Sequence, residues 1–322
     1  EHLAKVAWAY AKVGIPDERL FEQLSAATLA LLAPYLKRVE DAAAAAPSHS
    51  SAAAVAAAIV AGGRAPLDAV AVSNLVWAFV RTQQAHPELL AALASVAAPY
   101  KGLYDNDQLA LLARSYAAIG HYDEALCAAF SMVACRRLRH LSGPQLSGLL
   151  GALARLGHRD EQLAGAGAGL ARALAQRGRE GQLGAQEACE LLWAVAQLGL
   201  DPGSPGSSSS GAPAVLGLID ASNESPSAAA PFSRRRAAAG VHPDLSPTIA
   251  LAAALRGRCG ELPPGDLARA LWALSVVLPP HLPPARAVYG RGGGGGWGEV
   301  RQLVRELTRQ LGGHPVESYS RE

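Results

Sequence analysis

The chain has 322 residues, half of them hydrophobic, which is ample for a buried core. The formal net charge of +2 gives only a weak electrostatic pointer to a nucleic-acid partner. Four cysteines, Cys127, Cys135, Cys189 and Cys259, contain no CxxC pair, so they read as buried free thiols in a reducing compartment rather than a disulfide framework.

In chain order, one twelve-residue pattern recurs six times. Its copies run Leu3 to Gly14, Val72 to Gln83, Leu109 to Gly120, Leu146 to Gly157, Ala188 to Gly199 and Leu267 to Leu278, with starts 69, 37, 37, 42 and 79 residues apart. Apolar residues fill positions 1, 4, 5, 8 and 11, the spacing of one helix face. In the first copy they are Leu3, Val6, Ala7, Tyr10 and Val13; in the fourth, Leu146, Leu149, Leu150, Leu153 and Leu156. Position 12 is Gly14, Gly120, Gly157 and Gly199 in four copies, which suits a residue just past a helix C-terminus. Asp17, Asp123 and Asp160 then stand as N-caps, each followed by Glu, and open a second helix. In the second copy His86-Pro87-Glu88 takes that place. A period near 37 therefore predicts paired helices in an all-α solenoid, interrupted by low-complexity insertions. Each of the two long spacings hides either a degenerate unit or an insertion.

The resulting division is a first helical unit over 1–40, an alanine-rich insertion over 41–65 and helical units over 66–201. A disordered Ser/Pro/Gly-rich insertion over 202–241 follows, predicted to be the first site of proteolysis. Helical units over 242–311 complete the chain, with a Gly-rich loop at 290–296, a last helix from Gly298 to Leu311 and a tail at 312–322. No stretch is long and apolar enough for a membrane span. The chain begins with Glu1 and the pattern starts at Leu3, so the sequence reads as a piece of a longer protein, and the absence of a targeting segment from it carries no meaning.

Several motifs invite chemistry and do not sustain it. Gly165-Ala166-Gly167-Ala168-Gly169 sits within a second helix rather than after a strand, so it is no dinucleotide fingerprint. His121 and His158 share one position of the pattern, which argues for a turn role. No Walker A, HExxH or GxSxG motif is present. No cofactor and no metal site is expected, and the chain is not expected to be an enzyme. Arginines collect at second-helix ends: Arg136, Arg137 and Arg139, then Arg172, Arg177 and Arg179. Compensation of helix dipoles is the preferred reading; a phosphate-binding edge is the sharper one. Arg234-Arg235-Arg236 reads as a solvated charge run.

Positions 3 and 10 lie seven residues apart and so on one side of the helix. They form a strip of polar residues that varies from unit to unit, the arrangement by which a repeat protein reads an extended ligand; plain solvent exposure explains it equally well. The candidate contacts are Lys5, Lys12, Asn74, Arg81, Arg155, Gln197 and Arg269, with Arg114 at position 6. Trp8, Trp77, Trp193 and Trp272 occupy position 6 elsewhere. They could stack on bases, but packing between neighbouring units is preferred.

The cores Leu192-Trp193-Ala194-Val195-Ala196-Gln197-Leu198-Gly199 and Leu271-Trp272-Ala273-Leu274 resemble the octotricopeptide repeat family of green algae. The resemblance covers most of the chain outside the insertions; Arg114 and Gly151, at the Trp position, depart from it. It implies an organellar factor, in the chloroplast before the mitochondrion, that binds single-stranded RNA in stabilisation, processing, splicing or translation. Other proteins of a ribonucleoprotein complex are implied as further partners. Members often end in a RAP domain, of which no trace precedes the end of the chain. The rival expectation is a protein-binding scaffold like tetratricopeptide arrays, which the modest net charge suits better.

Overall fold

The computed structural model describes residues 1–45, 57, 59–84, 86–200, 247–277 and 295–312. Among them every regular element is helical, and the fold is all-α. The helices are α1 (His2–Val13), α2 (Glu18–Ala45), α3 (Ala69–Arg81), α4 (Pro87–Ala97), α5 (Asn106–Ala118), α6 (Glu124–Arg136) and α7 (Gly143–Leu156). They continue as α8 (Glu161–Gly165), α9 (Gly167–Arg179), α10 (Ala185–Leu198), α11 (Pro247–Leu255), α12 (Pro264–Val277) and α13 (Gly295–Gly312). None is long and apolar enough to cross a membrane.

The six copies of the pattern are α1, α3, α5, α7, α10 and α12. Each contacts the next in that order, forming a first row; α2, α4, α6 and α8, then α9, α11 and α13, contact in order as a second. This resolves the two long spacings. α1 touches α3 and α10 touches α12 directly, so no further unit intervenes. The additional residues fall between α2 and α3 and between α10 and α11.

Local chemistry explains the ends. Gly14, Gly120, Gly157 and Gly199 take φ of 77°, 65°, 69° and 67°. The next residue donates its N–H to the carbonyl at position 8: Ile15 to Tyr10, His121 to Tyr116, His158 to Leu153 and Leu200 to Val195, all at 3.0–3.1 Å. That bond satisfies a carbonyl otherwise orphaned at the helix end. The second copy makes the same bond, Gln84 to Phe79, with Gln83 in the left-handed region at φ 57°. Asp17, Asp123 and Asp160 cap the second helices through the N–H groups of Leu20, Leu126 and Leu163. The first helices begin about a turn before the pattern, at N-caps Asp68, Asp105 and Ser142, the last two closing capping boxes with Gln108 and Gln145. The shared histidine position also sits in a turn: His158 Nδ1 meets the Tyr122 hydroxyl at 3.2 Å, and its Nε2 lies 3.4 Å from Asp160.

Between the rows lies one continuous core. Leu146, Leu149, Leu150 and Leu153 are buried, each contributing about 1.5–3 kcal/mol relative to exposure. Tyr116 is fully buried, and its hydroxyl donates to the Leu90 carbonyl at 2.8 Å.

Several expectations need correction. In α1, Val6, Tyr10 and Val13 are 40%, 36% and 73% exposed, and the buried face is instead Ala4, Ala7 and Ala11. α1 ends its row, with α3 beside it in the row and α2 in the second, so one flank of the apolar stripe stays open. The Gly165–Gly169 run does not sit inside one helix: α8 stops at Gly165 and α9 starts at Gly167, because successive glycines weaken helix continuity. Cys135 is only half-buried, unlike the other three cysteines. Asp41 to Ala45 continue α2, and Gly295 and Gly296 open α13 rather than belonging to a loop. The 202–241 insertion, Arg234-Arg235-Arg236, the 312–322 tail beyond Gly312 and most of 46–58 lie outside the described residues.

Candidate ligand-binding face

Positions 3, 6 and 10 of the first-row helices share one face, buried at Gly148 and Gly151 and partly or fully exposed elsewhere, with its cleft at α5, α7 and α10. α7 carries glycine at positions 3 and 6. Beside Gly148 runs the Arg114 side chain of α5, with Cδ 3.4 Å and Nε 3.5 Å from where a Cβ would stand. Beside Gly151 lies the Glu190 carboxylate of α10, which occupies the space a Cβ there would take. A cleft of about 290 Å³ lies beside Gly148, bordered by Arg114, Ser147, Arg155, Gln186, Glu187 and Glu190.

An ion-pair relay crosses this face. Arg155 of α7 meets Glu190 of α10 at 2.5 Å, and Glu190 meets Arg269 of α12 at 3.6 Å. Arg269 also pairs with Asp266 at 3.1 Å. The Arg155 guanidinium lies over the Trp193 ring, 5.6 Å from its centroid. Arg155 and Arg269 are thus opposed by Glu190 and Asp266, and Arg114 borders the same cleft as Glu187 and Glu190. This part of the face is polar and carries both signs of charge. Such a surface favours directional hydrogen bonds and stacking over bulk attraction of anions.

The candidate residues divide accordingly. Arg114 and Arg155 share the cleft, and Arg269 joins them through Glu190. At the other end of the row, Lys12 lies 4.5 Å over Trp8, and Lys5 makes an exposed pair with Glu1 at 3.6 Å. Arg81 is exposed and Asn74 half-buried on α3. Gln197 is half-buried, and its carbonyl accepts from the Arg159 guanidinium. The structure does not bring Lys5, Lys12, Asn74 or Arg81 to the central cleft.

The packing expected of the tryptophans is seen for two of the four. Trp8 and Trp272 are 37% and 44% exposed, while Trp77 and Trp193 are half-buried against the core.

Sequence reasoning missed Glu190, Gln186, Glu187 and Asp266. Glu190 had a signal: it sits at position 3, where other copies carry Lys5, Asn74 and Arg269. Among the described residues no group of three His, Cys, Asp or Glu is placed to hold a metal. Burial pushes the Cys127 and Cys259 thiols up to about 11 and Cys189 to about 12, so these thiols are protonated near neutral pH and poor nucleophiles. No family model matches the chain, and no curated protein matches it.

Proposed function

We propose that the protein is an α-solenoid that binds single-stranded RNA along its first-row helices and performs no chemistry. The observation that carries this reading is the cleft at α5, α7 and α10. There Arg114, Arg155 and Gln186 border an opening beside Gly148, and the Arg155 guanidinium lies over the Trp193 ring. Guanidinium planes and indoles stack on unpaired bases, and amides and carboxylates read base edges. The chain-order contacts of the pattern-bearing helices supply a continuous track for such a strand. By its resemblance to octotricopeptide repeats, the proposed setting is organellar RNA metabolism, chloroplast before mitochondrion, with other proteins of a ribonucleoprotein complex as further partners.

Selection from a random single-stranded RNA pool tests the proposal. The native protein should enrich a sequence, and Arg114→Ala should relax the preference at one position while leaving the others. Absence of saturable RNA binding at low salt would sink it. The modest net charge of +2 favours a second reading, a groove for a peptide. A salt titration separates the two, because phosphate contacts make affinity fall linearly on a log–log plot of salt.

A further inference from the structure

The first and last pattern helices are exposed in complementary ways. Positions 4 and 8 are buried in five copies, from Leu75 and Phe79 of α3 to Ala270 and Leu274 of α12. In α1 the same positions hold Val6 and Tyr10, both exposed, and position 11 adds Val13 at 73%. Positions 2 and 5 behave in the opposite way. They are buried in five copies, from Ala4 and Ala7 of α1 to Cys189 and Leu192 of α10. In α12 position 2 is Ala268, exposed, and position 5 is Leu271, half-buried, beside the exposed Trp272.

The junctions inside the row show what these two flanks do. Position 2 faces the following first-row helix. The Cβ of Ala110 in α5 lies 3.5 Å from where a Cβ on Gly148 of α7 would stand, and the Cys189 thiol of α10 donates to the Asp266 carbonyl of α12 at 3.1 Å. Position 8 faces the second-row helix of the preceding unit. The Phe79 ring of α3 meets Phe21 of α2 edge-on, with centroids 5.0 Å apart, and the Tyr116 hydroxyl of α5 donates to the Leu90 carbonyl of α4 at 2.8 Å. One interface thus repeats along the row. Each helix carries positions 2 and 5 on its leading flank and positions 4 and 8 on its trailing flank. α12 leaves the leading flank open, and α1 leaves the trailing one open.

We propose that the chain associates head to tail with a second copy of itself, the open flank of α1 in one copy seating on α12 and α13 of the next. The occupant follows from continuity with the internal junctions. α12 offers α1 the positions that each earlier first-row helix buries against its successor, and α13 is the second-row helix against which Tyr10 would pack. Covering Val6, Tyr10, Val13 and Trp272 removes apolar surface from water, as the internal junctions do. The contact is heterologous and does not close on itself, so further copies extend the row. It does not rest on the reading of the first-row face as an RNA site.

Sedimentation velocity on the whole chain over a concentration series tests this. The average mass should rise above that of one chain and continue past that of a pair. Val13→Glu and Ala268→Glu each place a carboxylate in the junction, and each should weaken association about tenfold or more. Each variant keeps the other flank intact, so an equimolar mixture of the two should associate again and stop at two chains. Leu103→Glu, a similar change at an exposed site in the turn before α5, should leave association within about twofold. Circular dichroism should show all three variants as helical as the native chain. A single-chain mass up to about 100 μM would overturn the proposal, as would a mixture that fails to associate or equal losses for Leu103→Glu and Val13→Glu. Native-like association of Ala268→Glu, the outcome of an α1-to-α1 contact, would overturn it too.

Discussion

Glu190 of α10 and Arg155 of α7 meet at 2.5 Å, and the same carboxylate reaches Arg269 of α12 at 3.6 Å. One residue thereby ties three consecutive first-row helices together and neutralises two of the residues proposed to contact RNA.

Glu190→Gln keeps the shape and removes the charge. Glu190 is mostly buried but Arg155 is 41% exposed, so the loss of stability should be small, about 1 kcal/mol. The two released guanidiniums should raise RNA affinity severalfold and steepen its salt dependence by up to about two charges' worth. An unchanged salt slope in an anisotropy titration would show that these arginines do not face the ligand.

Gln83 occupies the left-handed turn that glycine fills in four of the other copies, at φ 57°. Gln83→Gly should stabilise the protein by about 0.5–1 kcal/mol, because the left-handed conformation costs a Cβ-bearing residue about 1–2 kcal/mol and glycine returns part of that in entropy. Gly157→Ala should destabilise by a similar amount. Urea midpoints of the two variants should therefore move in opposite directions.

Arg177 is buried, and its guanidinium donates to the carbonyls of Leu138, Leu141 and Ala173. Arg177→Met preserves much of the volume but leaves those acceptors without their donor. A loss of about 2–4 kcal/mol is expected, the range for breaking a buried charge-assisted network. Arg136→Ala, on the same edge but exposed, should change stability by less than about 0.5 kcal/mol. Equal effects for the two would mean that burial does not divide these arginines.

Alkaline pH should destabilise the fold. Burial raises Cys127 and Cys259 from 9.0 to about 11 and Cys189 to about 12; Tyr104 and Tyr116, also buried, are raised as well. In each case the unfolded chain releases its proton first. The associated stability is complete below the unfolded value near 9.0 and is lost as pH rises towards the folded values. Chemical denaturation from neutral pH upwards should show a falling midpoint above about pH 9. A flat profile would mean that these groups are not buried.

Periodicity, caps and turns were legible in the chain by itself. Positions 1, 4, 5 and 8 predict the buried face of α7, and Gly14, Gly120, Gly157 and Gly199 mark helix ends, because both follow from the geometry of a single helix. The capping aspartates Asp17, Asp123 and Asp160 are legible for the same reason: they bond to N–H groups three residues away. What only the tertiary structure decided depends on neighbours. The pattern cannot say that α1 touches α3 across 69 residues, nor that α1, with one flank open, buries Ala4, Ala7 and Ala11 in place of Val6, Tyr10 and Val13. Gly151 reads in sequence as a lapse from the pattern; in space its missing Cβ leaves room for the Glu190 carboxylate, because what fills a glycine's place belongs to the adjacent helix. Likewise Arg136, Arg137, Arg139 and Arg177 look alike along the chain. Which ones bond to carbonyls and which face solvent is set by where α9 and the connection before α5 come to rest against α6, a relationship between segments about 30–40 residues apart that no local spacing encodes.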